Sequence, residues 1–335
     1  MSRLPAPNDC RNGLSEKPVN QIFYKTYSFL GGDRLSWAMR RGSLRILCYH
    51  GLCDDELAGS SWVPGYFVAR SAFDAQLRYL QRCTQVLPLA EAFARLRDGS
   101  LPPRAVSITF DDGYANNLLL AYPILRNYGL PATIFLSTAY IESGELYPFL
   151  KLKLIRLSGC GEEADGRKYK DCPIEDLMPW IDQRWPAVEK TLTGDQRRML
   201  RPLTTQEVRD ADHELIEFGA HTHTHCILGN ESRERREQEI GSSIDKVQQW
   251  TGRPVLLFSY PNGERGDFGE VDKELLRAKG IQAAVTGIAG ANGRRFEPLE
   301  LKRYPVGLYH DAVDFRAEVT GFRTAVLRAS MGLGL

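Results

Sequence analysis

Short apolar segments alternate with longer amphipathic segments along most of this chain. The apolar segments have the length and composition of β-strands: LRILCYH (44–50), AVSITF (105–110), ATIFL (132–136), PVLLFSYP (254–261), QAAVTG (282–287) and LKRYPVG (301–307). Helical spacing of apolar residues predicts helices between them, over about 71–80, 90–96, 118–128, 204–218, 231–250 and 272–279. This alternation predicts an α/β protein built on a parallel sheet, closed or open.

The first 43 residues precede this pattern and are expected to form an N-terminal extension. Residues 1–20 are polar and predict a loose tail, and the apolar stretch IFYKTYSFL follows, with Arg34, Arg40 and Arg41 close by. A helix packed on the domain is favoured for this stretch over a helix that lies on lipid. Association with a membrane surface is therefore kept as the second interpretation.

Residues 144–202 interrupt the alternation over a length that exceeds an ordinary connection. The segment is rich in charge and contains Trp180 and Trp185. We predict a mostly helical insert that acts as a lid and shapes a pocket. Stacking on sugar rings and packing in the core both remain open for the two tryptophans.

Composition narrows the class of protein without identifying it. One barrel with added segments fits 335 residues. The net charge of +1 gives no basic field, which argues against nucleic acid as a partner. Seven cysteines without a CxxC pair indicate free thiols in a reducing compartment. Because no secretory signal or long apolar run is found, we expect a cytoplasmic location, with the membrane surface left open.

The segment TFDDGY (109–114) is the first candidate for chemistry. Two adjacent carboxylates, Asp111 and Asp112, follow an apolar strand, and burying both is costly without a cation. A metal ion would remove that cost for one of them, and Gly113 lets the chain turn away. Considered alone, the segment is better explained by a solvated Asp-Asp-Gly turn, which is common.

The segment HTHTH (221–225) is the second candidate and holds three of the six histidines. In a strand, His221 and His225 would lie about 13 Å apart, too far to share one zinc ion. In a helical turn, residues four apart stack on one face and can share a metal. We therefore expect a helical turn here, with His223 pointing elsewhere, if these histidines are ligands. A set of surface histidines is the alternative.

The two segments together predict more than either does alone. One aspartate and two histidines form a three-ligand set with open positions, as in catalytic metal sites. The other aspartate is then free to act as a general base. Both segments follow strands, and the carboxyl ends of parallel barrel strands are where catalytic groups meet.

With these two motifs, the sequence resembles the polysaccharide deacetylase family, the carbohydrate esterases that share the NodB homology domain. TFDDGY is similar to its first motif and GAHTHTH to its second. YHG (49–51), FSYPNG (258–263) and LKRYPVG resemble a subgroup from extracellular-glycan and cell-surface polysaccharide pathways. The resemblance covers about residues 44–320. It implies a distorted (β/α)7 barrel within residues 44–335 and hydrolysis of an N-acetyl group from an N-acetylhexosamine-containing glycan or glycan precursor.

The resemblance also implies roles for individual residues. Asp111 would be the base, and Asp112, His221 and His225 would hold one divalent ion, which is usually zinc in the family. The backbone N–H of Asn262 would stabilise the oxyanion. Tyr260 and Tyr114 lie in the same motifs and are expected at the substrate.

Two positions depart from the family pattern. Ser259 stands where the family usually has an arginine that orients the base, and we expect Arg303 in the last strand to supply this charge. The histidine that usually acts as general acid has no clear match. His50, at the end of the first strand, is favoured over His310, and a mechanism without a side-chain acid is the third option.

Two other functions remain possible on the sequence. The first is a glycan-binding pseudoenzyme, although the complete set of four motif residues argues against it. The second is a metal-dependent hydrolase of a non-sugar amide or an O-acetyl ester. The substrate is expected to be an oligo- or polysaccharide or a lipid-linked or nucleotide-linked sugar, and the missing secretory signal favours a cytoplasmic precursor.

Overall fold

The computed structural model describes residues 21–39, 42–159, 170–308 and 311–322. These ranges contain the strands β1 (Arg45–Tyr49), β2 (Gly51–Cys53), β3 (Phe67–Ala69), β4 (Gln85–Val86), β5 (Ala105–Phe110), β6 (Ala132–Leu136), β7 (Ile216–Ala220), β8 (Leu257–Ser259), β9 (Ala283–Ala289) and β10 (Leu301–Pro305).

Seven of these strands form a closed parallel barrel in the order β1-β10-β9-β8-β7-β6-β5. The barrel closes at β1, where Leu47 lies opposite Tyr304 of β10 on one side and Ile108 of β5 on the other. Strand β4 extends the sheet beside β5, and β2 and β3 form a separate parallel pair. The predicted α/β fold and seven-stranded barrel are confirmed.

The helices connect and surround the strands. They are α1 (Gln21–Phe29), α2 (Gly32–Met39), α3 (Arg70–Cys83), α4 (Leu89–Asp98), α5 (Tyr122–Tyr128), α6 (Thr138–Ser143), α7 (Pro148–Leu157), α8 (Ile174–Glu189), α9 (Gly194–Leu200), α10 (Thr205–Arg209), α11 (Arg233–Thr251), α12 (Glu270–Ala278) and α13 (Ala312–Thr320). Shorter helical turns lie at Asp55–Leu57, Asn117–Ala121 and Leu228–Asn230.

The helix α3 shows how the pattern produces the packing. Phe73, Leu77 and Leu80 recur at intervals of four and three residues, so they lie on one face and are buried. The same helix begins at Arg70 after Ala69, so Ser71 lies inside it and donates hydrogen bonds to Asp55. Burial of the apolar face stabilises the helix against the barrel.

The helix predicted over residues 204–218 is wrong for most of its length. A helix covers only Thr205–Arg209, where Thr204 and Glu207 form a capping box. The apolar residues Ile216 and Phe218 belong to β7 and flank the less buried Glu217. Their spacing of two residues is that of a strand. In so short a segment the apolar pattern fits both a strand and a helix, so the pattern alone did not separate them.

The segment 144–202 contains α7, α8 and α9. The last residues of the segment contact the loop that follows β5. The backbone N–H of Ala115 donates to the Arg201 carbonyl, and Leu203 N–H donates to Gly113. Trp185 is 7% exposed and lies beside Lys151, which favours packing over sugar stacking for this ring. The proposed boundaries of the extension, domain and insert remain predictions.

The helices α1 and α2 pack on α13 through Tyr24 and Ser36, whose hydroxyl donates to the Thr320 carbonyl. The predicted polar tail, residues 1–20, lies outside the described residues. Within the described ranges, each helix is too short or too polar to traverse a bilayer.

Candidate active site

Asp111 and Asp112 follow β5 directly, at the carboxyl end of the barrel strands, yet their carboxylates face different partners. Asp112 has a φ of 71° and Gly113 a φ of 84°, so the backbone reverses within two residues. A Cβ at position 113 would lie 2.7 Å from Leu136. Glycine is therefore required both for the backbone conformation and for the close packing.

Arg303 binds the Asp111 carboxylate through two hydrogen bonds. Its Nη1 donates to Oδ1 at 2.7 Å and its Nη2 donates to Oδ2 at 2.6 Å. Both side chains are buried. Burial disfavours the carboxylate charge, but Arg303 together with His221 and His50 outweighs that effect and lowers the pKa of Asp111 to about 2. Asp111 is therefore ionised and held in one orientation, as a general base requires.

The guanidinium of Arg303 is fixed on its other edges. Its Nε donates to the Thr286 carbonyl at 2.8 Å, and its terminal nitrogens contact Thr109 and Ser259. The Ser259 hydroxyl also donates to Asp111 at 3.2 Å. Ser259 of β8 therefore lies beside Arg303 of β10. Arg303 provides a positive charge next to Asp111, as expected from the serine at position 259.

Asp112, His221 and His225 bring three possible ligand atoms within 4.8 Å of one another, and all three residues are buried. The Nε2 atoms of His225 and His221 lie 3.1 and 3.5 Å from Asp112 Oδ1. That oxygen makes no hydrogen bond with any described residue. Burial opposes the charge, but the two imidazoles hold the pKa of Asp112 well below its usual range.

These residues fit a divalent cation. A buried carboxylate oxygen without a hydrogen bond lies opposite two imidazole nitrogens, and one carboxylate with two imidazoles is a zinc ligand set. The other ring nitrogen of His221 lies 2.7 Å from the Ser259 carbonyl. This contact orients the ring and leaves Nε2 toward Asp112, as outer partners of metal ligands do.

The expected helical turn at HTHTH is wrong. Residues 221–225 contain no helical residue, and Thr222 and His225 instead adopt left-handed φ values of 59° and 56°. These two residues reverse the chain and bring His225 back beside His221. A turn with left-handed residues thus gives the proximity that the sequence pattern assigned to a helix.

The buried carboxylate of Glu239 on α11 holds this turn. It accepts hydrogen bonds from the backbone N–H groups of His223 and Thr224 and from the Thr224 hydroxyl. The His223 ring lies 2.8 Å from the Thr138 hydroxyl and stays outside the cluster, as expected. Glu239 was missed because nothing in its helical context marks it as the support of a loop 15 residues away.

His50 and Cys48 lie beside Asp111, and one ligand-type atom from each of the three residues falls within 4.8 Å of the others. His50 Nδ1 is buried without a hydrogen bond among the described residues. Burial lowers the pKa of His50, although Asp112 and Asp111 oppose this shift. Burial raises the pKa of the Cys48 thiol, which lies 3.6 Å from Asp111. Because residues two apart in a strand share a face, the position of His50 could have indicated that Cys48 lies at the site.

The structure buries the side chains of both Tyr114 and Tyr260. Tyr114 is fully buried, with its hydroxyl 3.3 Å from that of Tyr66. Tyr260 is 1% exposed and its ring stacks on Phe268, with centroids 4.1 Å apart. Successive residues point to opposite faces, so Tyr260 points away when Ser259 faces Asp111. Direct substrate contact by these two side chains is not supported.

Asn262 lies in a tight turn after β8 and has a φ of 59°. Its side chain donates to Asp267, while its backbone N–H donates to no described residue. A Cβ at Gly287 would lie 2.3 Å from the Asn262 carbonyl, so the turn packs closely on β9. His310, the alternative proton donor, lies outside the described residues.

Aromatic rings flank the cluster on two sides. Tyr66 lies 4.8 Å from His50 and Phe149 lies 4.9 Å from His225, measured between ring centroids. Both rings are half-buried. The Tyr147 hydroxyl donates to the Asp112 carbonyl at 2.6 Å, so the insert contacts the cluster directly. The arrangement is a buried polar cluster flanked by aromatic rings, which suits a ligand with both apolar faces and polar groups.

The comparison with protein families identifies one model, described as polysaccharide deacetylase, over residues 98–284. This range includes Asp111, Asp112, His221 and His225.

Two curated relatives match shorter regions. YxkH of Bacillus subtilis is 38% identical over 108 residues, which are 31% of this chain and 36% of YxkH. The poly-β-1,6-N-acetyl-D-glucosamine N-deacetylase of Staphylococcus aureus is 34% identical over 85 residues, 25% of this chain and 29% of that enzyme. The chain thus matches only about a third of the length of these relatives.

Solved structures share the fold. The Streptococcus pyogenes deacetylase PplD, solved in complex with acetate, aligns with a TM-score of 0.59 and 18% identity. The alignment covers 83% of this chain and 98% of PplD. A de-N-acetylase from Aggregatibacter actinomycetemcomitans has the same TM-score, with 17% identity over 82% of this chain and 98% of that chain.

Proposed function

The chain belongs to the polysaccharide deacetylase family, and from this membership we propose that it is a metal-dependent hydrolase that removes N-acetyl groups from N-acetylhexosamine units. One observation carries the proposal. Asp112, His221 and His225 form a buried ligand set, and Asp111, oriented by Arg303, lies directly beside it. A ligand set and a separate ionised base are the two components that hydrolysis of an amide by water requires.

Each residue has a defined part in this proposal. A divalent cation, most simply Zn²⁺, would polarise the acetamide carbonyl and lower the pKa of water to about 7. Asp111 accepts the proton of the attacking water, because Arg303 keeps its carboxylate charged. The Asn262 N–H donates to the carbonyl oxygen as that oxygen gains negative charge. His50 donates a proton to the departing amine.

We further propose that the substrate is an oligo- or polysaccharide or a lipid- or nucleotide-linked precursor. The Staphylococcus aureus relative is named for a poly-β-1,6-linked N-acetylglucosamine substrate, so oligomers of this sugar are the first to test. The rings of Tyr66 and Phe149 on either side of the cluster support a sugar, because apolar sugar faces pack on aromatic rings.

The test is an acetate-release screen over β-1,6- and β-1,4-linked N-acetylglucosamine oligomers, a nucleotide-linked sugar and a lipid-linked sugar. The matched variant is Asp111→Asn, which keeps the shape of the side chain and removes its charge. The proposal predicts acetate release from at least one substrate by the wild type, and a loss of at least about 10²-fold in the variant. Release that persists in Asp111→Asn would reject the assigned base.

Metal analysis separates the enzyme from a glycan-binding pseudoenzyme. The proposed enzyme binds about one divalent ion per chain, and Asp112→Ala loses it. A protein that binds sugar oligomers, retains no metal and releases no acetate would be the pseudoenzyme. Parallel assays with O-acetylated sugars and simple amides test the remaining alternative, which uses the same ligand set on another bond.

A further inference from the structure

The turn between α1 and α2 exposes two large apolar side chains, which we call the hairpin tip. Phe29 is 89% exposed and Leu30 is 76% exposed, well above Leu119 at 47% and Leu157 at 44%. Adjacent apolar residues at this exposure are unfavourable in water and indicate a surface that another apolar phase covers.

The hairpin tip is held by defined contacts. Gly31 has a φ of 84°, and a Cβ at Gly32 would lie 2.4 Å from the Tyr27 ring. Tyr27 in turn packs on Phe322, with ring centroids 4.4 Å apart. Both glycines are therefore needed for this tight turn. The tip is presented by a turn that is fixed to the domain, so its exposure is a property of the fold.

A groove between α3 and α13, which we call the arginine groove, encloses about 480 Å³. Its lining includes Arg82 and Arg316, which are exposed, and neither forms an ion pair within the described part of the chain. Its third arginine, Arg78, is paired with Asp74. The groove thus presents cationic groups without a carboxylate partner among the described residues, and the Arg316 guanidinium lies over the Tyr79 ring.

The floor of the arginine groove contains a further group without a partner. Gln76 is 3% exposed, its Oε1 accepts from the Tyr49 hydroxyl, and its Nε2 makes no hydrogen bond among the described residues. Buried amide donors are normally paired, so this one points to a missing acceptor. Tyr79 and Phe315 supply apolar walls. An anionic head with an apolar tail matches this combination.

The helical hairpin of α1 and α2 and one end of the arginine groove lie at the same end of the barrel. Arg45, the first residue of β1, contacts the Thr320 carbonyl at the end of α13. Arg104, just before β5, contacts the Cys83 carbonyl at the end of α3. Tyr79 lines the groove, and its pKa is raised to about 12, first by burial, then by Cys83 and then by the charge of Asp33. Asp33 belongs to α2, so α2 lies close to the groove. The helical hairpin and the Cys83 end of the groove therefore lie toward the amino ends of the strands, and the groove extends from there along α3 and α13 to Ala72 and Asp311.

We propose that this end of the protein binds the surface of an anionic phospholipid bilayer. Phe29 and Leu30 enter the boundary of the acyl chains, and Arg82 and Arg316 contact lipid phosphates. Apolar insertion together with cationic contacts is the combination that holds proteins on anionic lipid surfaces. The groove lining carries three arginines and one aspartate, Asp311, and this excess of positive charge favours lipid over a second copy of the chain, because two copies would bring like charges together.

The test is sedimentation of the full chain with phosphatidylcholine vesicles that contain or lack phosphatidylglycerol. We expect binding to the anionic vesicles, with an affinity that falls as salt is added. The double variant Phe29→Asp/Leu30→Asp should lose at least about tenfold in partition coefficient. The double variant Arg82→Gln/Arg316→Gln should lose about fivefold per arginine and much of the salt dependence.

Leu119→Asp and Leu157→Asp are the matched controls, since they place the same charge at exposed leucines elsewhere and should bind like the wild type. Thermal unfolding and size exclusion confirm that each variant is folded and report its oligomeric state. Absence of vesicle binding, equal losses in the controls, or a dimer that depends on Phe29 and Leu30 would overturn the proposal. Acetate release from a soluble sugar should be unchanged, so this outcome is independent of the proposed function.

Discussion

At the scale of single residues, the positive charge of Arg303 determines the protonation state and the orientation of Asp111. The guanidinium of Arg303 comes from β10, and the two residues are separated by 192 positions in the sequence. Burial alone would favour the protonated acid, whereas the charge of Arg303, with that of His221 and the hydrogen bonds from Arg303, keeps it ionised. Removing the arginine therefore affects both the chemistry and the fold.

We predict that Arg303→Ala lowers kcat/KM for acetate release by about 10²–10³-fold, because Asp111 loses its orientation and the positive charge that stabilises its carboxylate. A buried carboxylate without its partner should also cost about 3–5 kcal/mol of unfolding free energy, measurable by urea denaturation. Arg303→Lys should retain the fold and part of the activity. Ser259→Ala, which removes only one hydrogen bond to Asp111, should lose less than about tenfold. Turnover unchanged in Arg303→Ala would contradict the assignment.

The proton donor can be assigned by changing the leaving group. His50→Ala should lower N-acetyl hydrolysis by about 10²–10⁴-fold, since an amine leaves as a neutral molecule only if it is protonated. Hydrolysis of 4-nitrophenyl acetate should change by only a few-fold, because nitrophenolate needs no proton. His310→Ala, which changes the alternative proton donor, should leave both reactions unchanged. If His50→Ala lowers both reactions equally, His50 shapes the pocket and is not the acid.

At the scale of elements, the sequence predicted the repeating units well and the local turns poorly. Apolar strands and glycine-terminated helices follow from periodicity, and they define the barrel because the alternation is regular. The turn at residues 221–225 could not be predicted in the same way. It requires left-handed backbone at Thr222 and His225, which residues other than glycine adopt uncommonly, and in this turn a distant contact supports it.

The helix α11 supplies that distant contact through Glu239, and this leads to a prediction about metal binding. Glu239→Ala removes the acceptor for the backbone at residues 223 and 224, so His225 loses its fixed position. We expect the affinity for Zn²⁺ to fall by about 10–100-fold, as for other supports of metal ligands, in titrations against a chelating indicator. Glu237→Ala, an exposed change on the same helix, should bind as the wild type does. If Glu239→Ala binds Zn²⁺ as tightly as the wild type, the turn at residues 221–225 is stable without Glu239.

At the scale of the whole molecule, the barrel brings together residues from strands that are far apart in the sequence. Asp111 follows β5, His221 follows β7, Ser259 ends β8 and Arg303 lies in β10. The motifs predicted that these residues act together, but sequence distance alone could not show that Arg303 reaches Asp111 across the barrel. Closure of the sheet at β1 and β10 provides that approach.

Because its ligands come from separate elements, the metal should stabilise the entire fold. A ligand that binds only the folded state adds about 2.7 kcal/mol at a hundredfold excess over its Kd. We therefore expect Zn²⁺ to raise the Tm of the chelator-treated wild type by several degrees in calorimetry. Asp112→Ala should show no such rise, whereas His223→Ala should, since the His223 ring lies on Thr138 outside the cluster. A similar rise in Asp112→Ala would place the stabilising ion elsewhere, and the loss of the rise in His223→Ala would mean that the ligand set is larger than Asp112, His221 and His225.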